Sequence, residues 1–324
     1  MRLLNPASAL LLPAVLLTPR VGRVSLSDED ASPTTTLSTL PPGLNEFSRT
    51  SGRSGALDVI RRSSAKAIGR ALADGVELIE VEFPPLLEVK TQFDDFSNVE
   101  VLDANRDWAI QLALEPELRA AATEASDLWL VFADEGEATL AREAWPGKRY
   151  SEATQTSIAA AVSTLGGEPL LPMGTGAANL FGGAAALFGG SAPPPAPAAP
   201  LSPPELQLIV QPGDGGPMED WLNLEILQRD GCPMVCVNGA LDKVCSGYYS
   251  NFLNPKLGAV AERFFSRFEQ AFYLKPISSG RGWLYRVYPE QWQLYRQTRD
   301  DLELVETYED RPSLQTCADR LKRP

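Results

Sequence analysis

The sequence predicts an α/β protein: a mainly parallel, Rossmann-like sheet flanked by helices, with a C-terminal antiparallel meander. Three observations predict it. Helical and strand periodicities alternate between residues 54 and 268, which is the pattern of successive βαβ units. Leu128-Trp-Leu-Val-Phe-Ala133 is apolar without a break, as a strand covered on both faces must be. From Phe272 onward, short aromatic strands are separated by turns too short for crossover helices, so they run antiparallel.

The elements follow in order. Residues 54–74 carry Leu57, Ile60, Ile68, Ala71 and Leu72 at helical spacing, with Gly75 as a stop signal. A strand over 76–83 follows. Its alternation puts Ile79, Val81 and Phe83 on one face and Glu80 and Glu82 on the other. This predicts a solvated Glu80 near the sheet edge and leaves Glu82 at the strand end. Asp103 reads as the cap of a helix bearing Trp108, Ala109 and Leu112 that ends before Pro116. Strand 128–133 leads into a short helix over 137–145. Strand 206–211, helix 217–229, strand 233–238 and an aromatic helix over 260–268 complete the alternating part. The meander comprises 272–275, 283–288, 292–296 and 302–308.

Two segments read as unfolded. Residues 1–53 join a signal-like apolar run, residues 9–17, to a Ser/Thr/Pro-rich stretch with scattered arginines. This is the composition of a targeting leader followed by a disordered segment. It matches the bipartite leader of a protein destined for the plastid stroma, with secretion as the weaker alternative. The Ala/Pro/Gly tract at about 174–204 interrupts a single domain spanning 54–315, and 316–324 reads as a tail. Gly174-Thr-Gly176 lacks the third glycine and the Gly-Lys-Ser/Thr of a phosphate loop.

Composition narrows the chemistry. The chain contains no histidine, which removes Ser-His-Asp and Cys-His catalysis and the common catalytic zinc sites. Cys232, Cys236, Cys245 and Cys317 lack C-x-x-C spacing and read as reduced thiols, with a Cys232–Cys236 pair as the sharper alternative. The net charge is −13, so a nucleic-acid partner is not expected. No cofactor is expected, and no membrane span in the mature protein.

Candidate ligand residues lie where an open α/β sheet binds ligands, beyond the carboxyl ends of its strands. They are Glu82, Asp134, Glu137, Gln211 and Asn238, with Arg286 from the meander. Glu82, Asp134 and Glu137 together would suit magnesium. Each has a plain explanation as well: Asp134 caps the next helix, Glu137 sits in its first turn, and Asn238-Gly239 is a turn pair. No residue is assigned a catalytic role. Arg281, Arg286, Arg296, Arg299 and Arg311 interleave with aromatics; one face could bind an anion or stack a base, but the pattern reads first as core on one face with cation–π or salt-bridged residues on the other, or as a protein-contacting surface.

The order of the motifs carries a resemblance. Asp74-Gly75, Val81-Glu-Phe-Pro-Pro85, Leu130-Val-Phe-Ala-Asp-Glu-Gly-Glu-Ala138, Val235-Cys-Val-Asn-Gly239, Tyr273-Leu-Lys-Pro276, Gly282-Trp-Leu-Tyr-Arg-Val-Tyr-Pro289, Trp292 and Asp310-Arg-Pro-Ser313 together resemble a plastid and cyanobacterial domain of unknown function. That domain occurs in the low-photosystem-II-accumulation stromal proteins and behind the kinase domain of some plastid adenylate kinases. The resemblance implies a plastid protein that assists photosystem II assembly by binding a photosystem subunit, and it brings no catalytic residues. The expectation is a non-catalytic, protein-binding role. The alternative is a magnesium- or phosphate-ligand-binding enzyme, or a nucleotide-binding module, using the strand-end carboxylates.

Overall fold

The computed structural model describes residues 55–85, 98–145, 152–171, 202–213, 218–246, 248–249, 254–277, 281–298 and 302–323. The leader and nearly all of the Ala/Pro/Gly tract lie outside the described residues.

A nine-stranded sheet organises the chain, in the order β3-β2-β4-β5-β1-β6-β7-β8-β9. The strands are β1 Leu78–Glu82, β2 Leu128–Phe132, β3 Thr154–Ser157, β4 Leu206–Val210, β5 Met234–Val237, β6 Glu269–Ile277, β7 Gly282–Val287, β8 Trp292–Gln297 and β9 Leu302–Tyr308. Pairing from β3 through to β6 is parallel. From β6 to β9 it is antiparallel, so the expected mixed α/β architecture is the observed one.

Helices α1 Gly55–Ala73, α2 Asn98–Leu112 and α4 Glu135–Ala144 cover one face; the four-residue α3, Pro116–Arg119, lies beside α1. Their Ile60, Ile68, Trp108, Leu112, Ala138 and Ala141 pack there against Ile79, Val81, Leu130 and Phe132. Helices α5 Ile158–Thr164, α6 Glu219–Leu227, α7 Leu241–Cys245 and α8 Pro255–Arg263 cover the other face. There Ile158, Trp221, Leu224, Leu241 and Val260 pack on Trp129, Val131, Ile209 and Cys236. Connections that move towards β3 cross the first face and those that move towards β6 cross the second, so all share one hand, as parallel crossovers require. Consequently β2 and β4, and again β5 and β1, leave the sheet towards opposite faces. Such points open crevices at the carboxyl ends of the strands.

Local chemistry sets the ends of the elements. Gly75 stops α1 with φ +82°, and the Val76 amide returns to the Ala71 carbonyl at 2.9 Å, a left-handed helix stop that favours glycine. Ser157 caps α5, its side chain accepting from the Ala160 amide. Ser313 caps a final helix, α9 Leu314–Leu321, by accepting from the Thr316 amide.

Two expectations do not hold. Glu80 is not solvated and β1 is not near an edge: β1 is held between β5 and β6, and Glu80 is 0% exposed. The reason is β6, which brings the whole meander alongside β1 and makes it central. Asp103 does not cap α2, which begins at Asn98; it lies inside the helix and pairs with Arg106. A last helix, α9, covers Leu314–Leu321, and its Cys317 is buried in a third core cluster with Tyr273, Leu284, Trp292 and Leu294. Strand β3 has no apolar alternation in its sequence: Thr-Gln-Thr-Ser is polar and pairs on one side only.

Candidate functional site

On the face covered by α2, three amide side chains tie the strand ends together. The Phe83 amide after β1 donates to Asn238 Oδ1 at 2.8 Å. Asn238 Nδ2 donates to Asn105 Oδ1 at 2.6 Å, and Asn105 Nδ2 donates to Gln211 Oε1. Asn238 and Gln211 both turn the chain with positive φ, +50° and +45°, which aims their side chains back at α2. Beside them, between the ends of β2 and β4, a small pocket is lined by Leu102, Asn105, Arg106, Phe132, Ala133, Glu137, Val210 and Gln211. Arg106 donates to Glu137 Oε2 at 2.6 Å and also pairs with Asp103, while its buried Nε finds no partner among the described residues.

Asp134 stands at the rim, where its Oδ1 accepts from the Glu137 amide at 2.9 Å and caps α4. Asp220 approaches from α6 on the opposite face. Burial, then the charges of Asp134 and Glu219, push its carboxyl up to about 7.

The other face carries a more enclosed set of charges. Glu80 Oε2 lies 3.5 Å from Arg311, which also donates to the Tyr273 hydroxyl at 2.9 Å. The same guanidinium stacks 4.6 Å from the Tyr273 ring centroid and 5.5 Å from that of Trp292, a cation–π cage. Lys275 pairs with Asp242 of α7 at 2.6 Å and approaches Glu82 to 3.9 Å. Glu82 Oε2 accepts from the Ala240 amide at 3.4 Å. Burial pushes Glu82 up to about 7, against the pull of Lys275 and with the push of Glu80 and Asp242. Burial likewise raises Glu80, opposed by Arg311 and Gln270. It holds the Cys236 thiol well above its usual range and pushes Cys245 up to about 11, so neither is a thiolate at neutral pH.

The candidate residues therefore separate. Gln211 and Asn238 meet through Asn105, Glu137 joins them through Arg106, and Asp134 lies at their edge. Glu82 belongs to the opposite face. Arg286 is engaged in the meander, 2.6 Å from Glu269 and 3.3 Å from the Gln270 carbonyl. The set of Glu82, Asp134 and Glu137 does not converge on one ion, and among the described residues no group of three or more acids and thiols is placed to hold a metal. Sequence reasoning missed Asn105, Arg106, Asp220, Asp242, Lys275 and Arg311 as site residues. Lys275 and Arg311 stood inside the quoted motifs, which was the available signal; a mid-helix Asn-Arg offers none.

A doubly wound α/β sheet with polar crevices at its strand ends, extended by an antiparallel meander, defines the class. The chain belongs to the family described as domain of unknown function (DUF1995), whose model matches residues 56–319. No curated protein and no solved structure matches it. Among the described residues, no helix is long and apolar enough to cross a membrane.

Proposed function

We propose that the chain is a non-catalytic plastid protein that works by binding another protein, a photosystem subunit during assembly of photosystem II. One observation carries the protein-binding part: the strand-end groups that chemistry would need are committed to one another, Arg106 between Asp103 and Glu137 and Asn238 between Phe83 and Asn105. Apolar side chains meanwhile stand outside. Leu170, Leu171 and Ile226 are exposed, Asn223 clamps the Leu170 backbone through both its amide and its carbonyl, at 2.8 and 2.9 Å, and Ile226 lies close against Gly167. An ordered apolar patch of this kind suits a protein contact. The plastid and photosystem parts rest on the motif resemblance and the leader composition.

The test is affinity capture with the tagged full-length chain from plastid extract. Recovery of photosystem II subunits by the native chain, and their loss with Leu170→Asp/Ile226→Asp, is the expected result. No photosystem subunit above a control bait would sink the reading. The runner-up, a phosphate- or nucleotide-binding module, is favoured by the unpartnered Arg106 Nε in the β2/β4 pocket. A saturable thermal shift with phosphate or ATP, removed by Arg106→Gln, would favour it instead.

A further inference from the structure

Arg106, Glu137 and Gln211 line the pocket between the ends of β2 and β4, and the bonds they make leave three atoms over. Arg106 is 7% exposed. Its terminal nitrogens donate to Asp103 and Glu137, while its buried Nε meets no acceptor among the described residues. Gln211 accepts from Asn105 through Oε1, and none of the described groups accepts from its Nε2. Glu137 spends Oε2 on Arg106, and none of the described donors reaches its Oε1. A buried donor left bare is costly. The pocket lies where β2 and β4 leave the sheet towards opposite faces, the place at which open α/β sheets bind ligands.

We propose that this pocket binds a small neutral carboxamide. Its carbonyl oxygen accepts from Arg106 Nε and Gln211 Nε2, its N–H donates to Glu137 Oε1, and a short apolar arm rests on Leu102, Phe132 and Val210. The open atoms set the class. Two are donors, so the ligand brings an acceptor, and a metal or ammonium ion is the wrong chemistry. Arg106 is already shared by Asp103 and Glu137, with Asp134 at the rim, so three carboxylates stand around one guanidinium and oppose an anion. A neutral group remains. The third open atom is an acceptor, so that group also has a proton to donate. A carboxamide carries both functions on neighbouring atoms, and the apolar walls suit a hydrocarbon arm beside a few placed polar groups. Binding here needs no partner protein, so it stands or falls apart from the surface at Leu170 and Ile226.

The test follows the side-chain N–H resonances of the isotope-labelled full-length protein during titration with acetamide, with acetate, ethanol and inorganic phosphate as matched probes. Saturable shifts of the Arg106 Nε–H and Gln211 side-chain amide signals are expected with acetamide. Each other probe forfeits a hydrogen bond or adds a charge, and should bind about tenfold more weakly or not at all. Leu102→Phe fills the pocket without removing a polar atom, and should weaken acetamide to the level of the other probes. Arg106→Lys keeps a cation for Asp103 and Glu137 but loses the guanidinium Nε–H, and should do the same. No saturable shift with acetamide, equal binding of acetate or ethanol, or unchanged binding in Leu102→Phe overturns the assignment. Tighter binding of phosphate overturns it too, and favours the phosphate-binding module instead. If Arg106→Lys loses its cooperative unfolding transition, Leu102→Phe decides alone.

Discussion

Burial raises the Glu82 carboxyl to about 7, opposed by Lys275 at 3.9 Å and reinforced by the charges of Glu80 and Asp242. Its folded value, about 7, lies above the ordinary 4.5, so the native state holds the proton more tightly than the unfolded chain does. The stability this contributes is fully present below about pH 4.5 and is lost as pH rises through 7. The rise corresponds to roughly 3 kcal/mol, and Asp220 adds an effect of the same sign. Denaturant unfolding of the native chain and Glu82→Gln at pH 5 and pH 8 measures it: the variant should gain relative stability at the higher pH. An equal difference at both values would refute the assignment. Arg311 answers to a different rule. Its removal strands Glu80 in the core, and breaking a buried pair from one side costs about 3–5 kcal/mol. Arg311→Met should therefore destabilise strongly, while Arg311→Met with Glu80→Leu should recover most of the loss, which a double-mutant cycle reads directly.

Among the elements, α2 is the one that secures the carboxyl ends of the parallel strands. Asn105 connects Asn238 after β5 with Gln211 after β4, and Asn238 holds the Phe83 amide after β1. Asn105→Ala leaves Asn238 Nδ2 and Gln211 Oε1 without their partner, so a loss of about 2–4 kcal/mol is expected, with hydrogen exchange at Phe83 accelerated. Asp134→Ala removes only a helix cap and should cost about 1 kcal/mol. If the two substitutions prove equal by chemical denaturation, the amide chain is not what fastens the strand ends. Much of the placement was legible: Gln211 and Asn238 follow apolar strands, and Asp134 precedes a helix. Asn105 was not, since nothing in Ala104-Asn-Arg106 marks one helical residue as the link between distant strands.

At the scale of the whole molecule, the sequence shows which segments are strands but not which strand lies beside which. Alternation in 78–82 puts Glu80 and Glu82 on the face opposite Ile79 and Val81, as in the structure, but that face meets buried charges rather than water. Period-two patterning distinguishes the two faces of a strand, not water from a buried charge cluster. The deciding contact comes from the far end of the chain, where Arg311 follows β9 and returns to a strand 231 positions earlier. That return makes a final prediction about where the fold ends. A chain stopped after Asp310 loses the counter-ion of Glu80 and, with α9, Cys317 and the Ala318 and Leu321 packing of the third core cluster. The unpaired carboxylate alone costs about 3–5 kcal/mol, a large share of the roughly 5–15 kcal/mol that holds a typical domain together. The truncated chain should therefore melt far below the full one or fail to unfold cooperatively, as calorimetry would record. A truncated chain with an unchanged melting temperature would remove Arg311 from the architecture of the site.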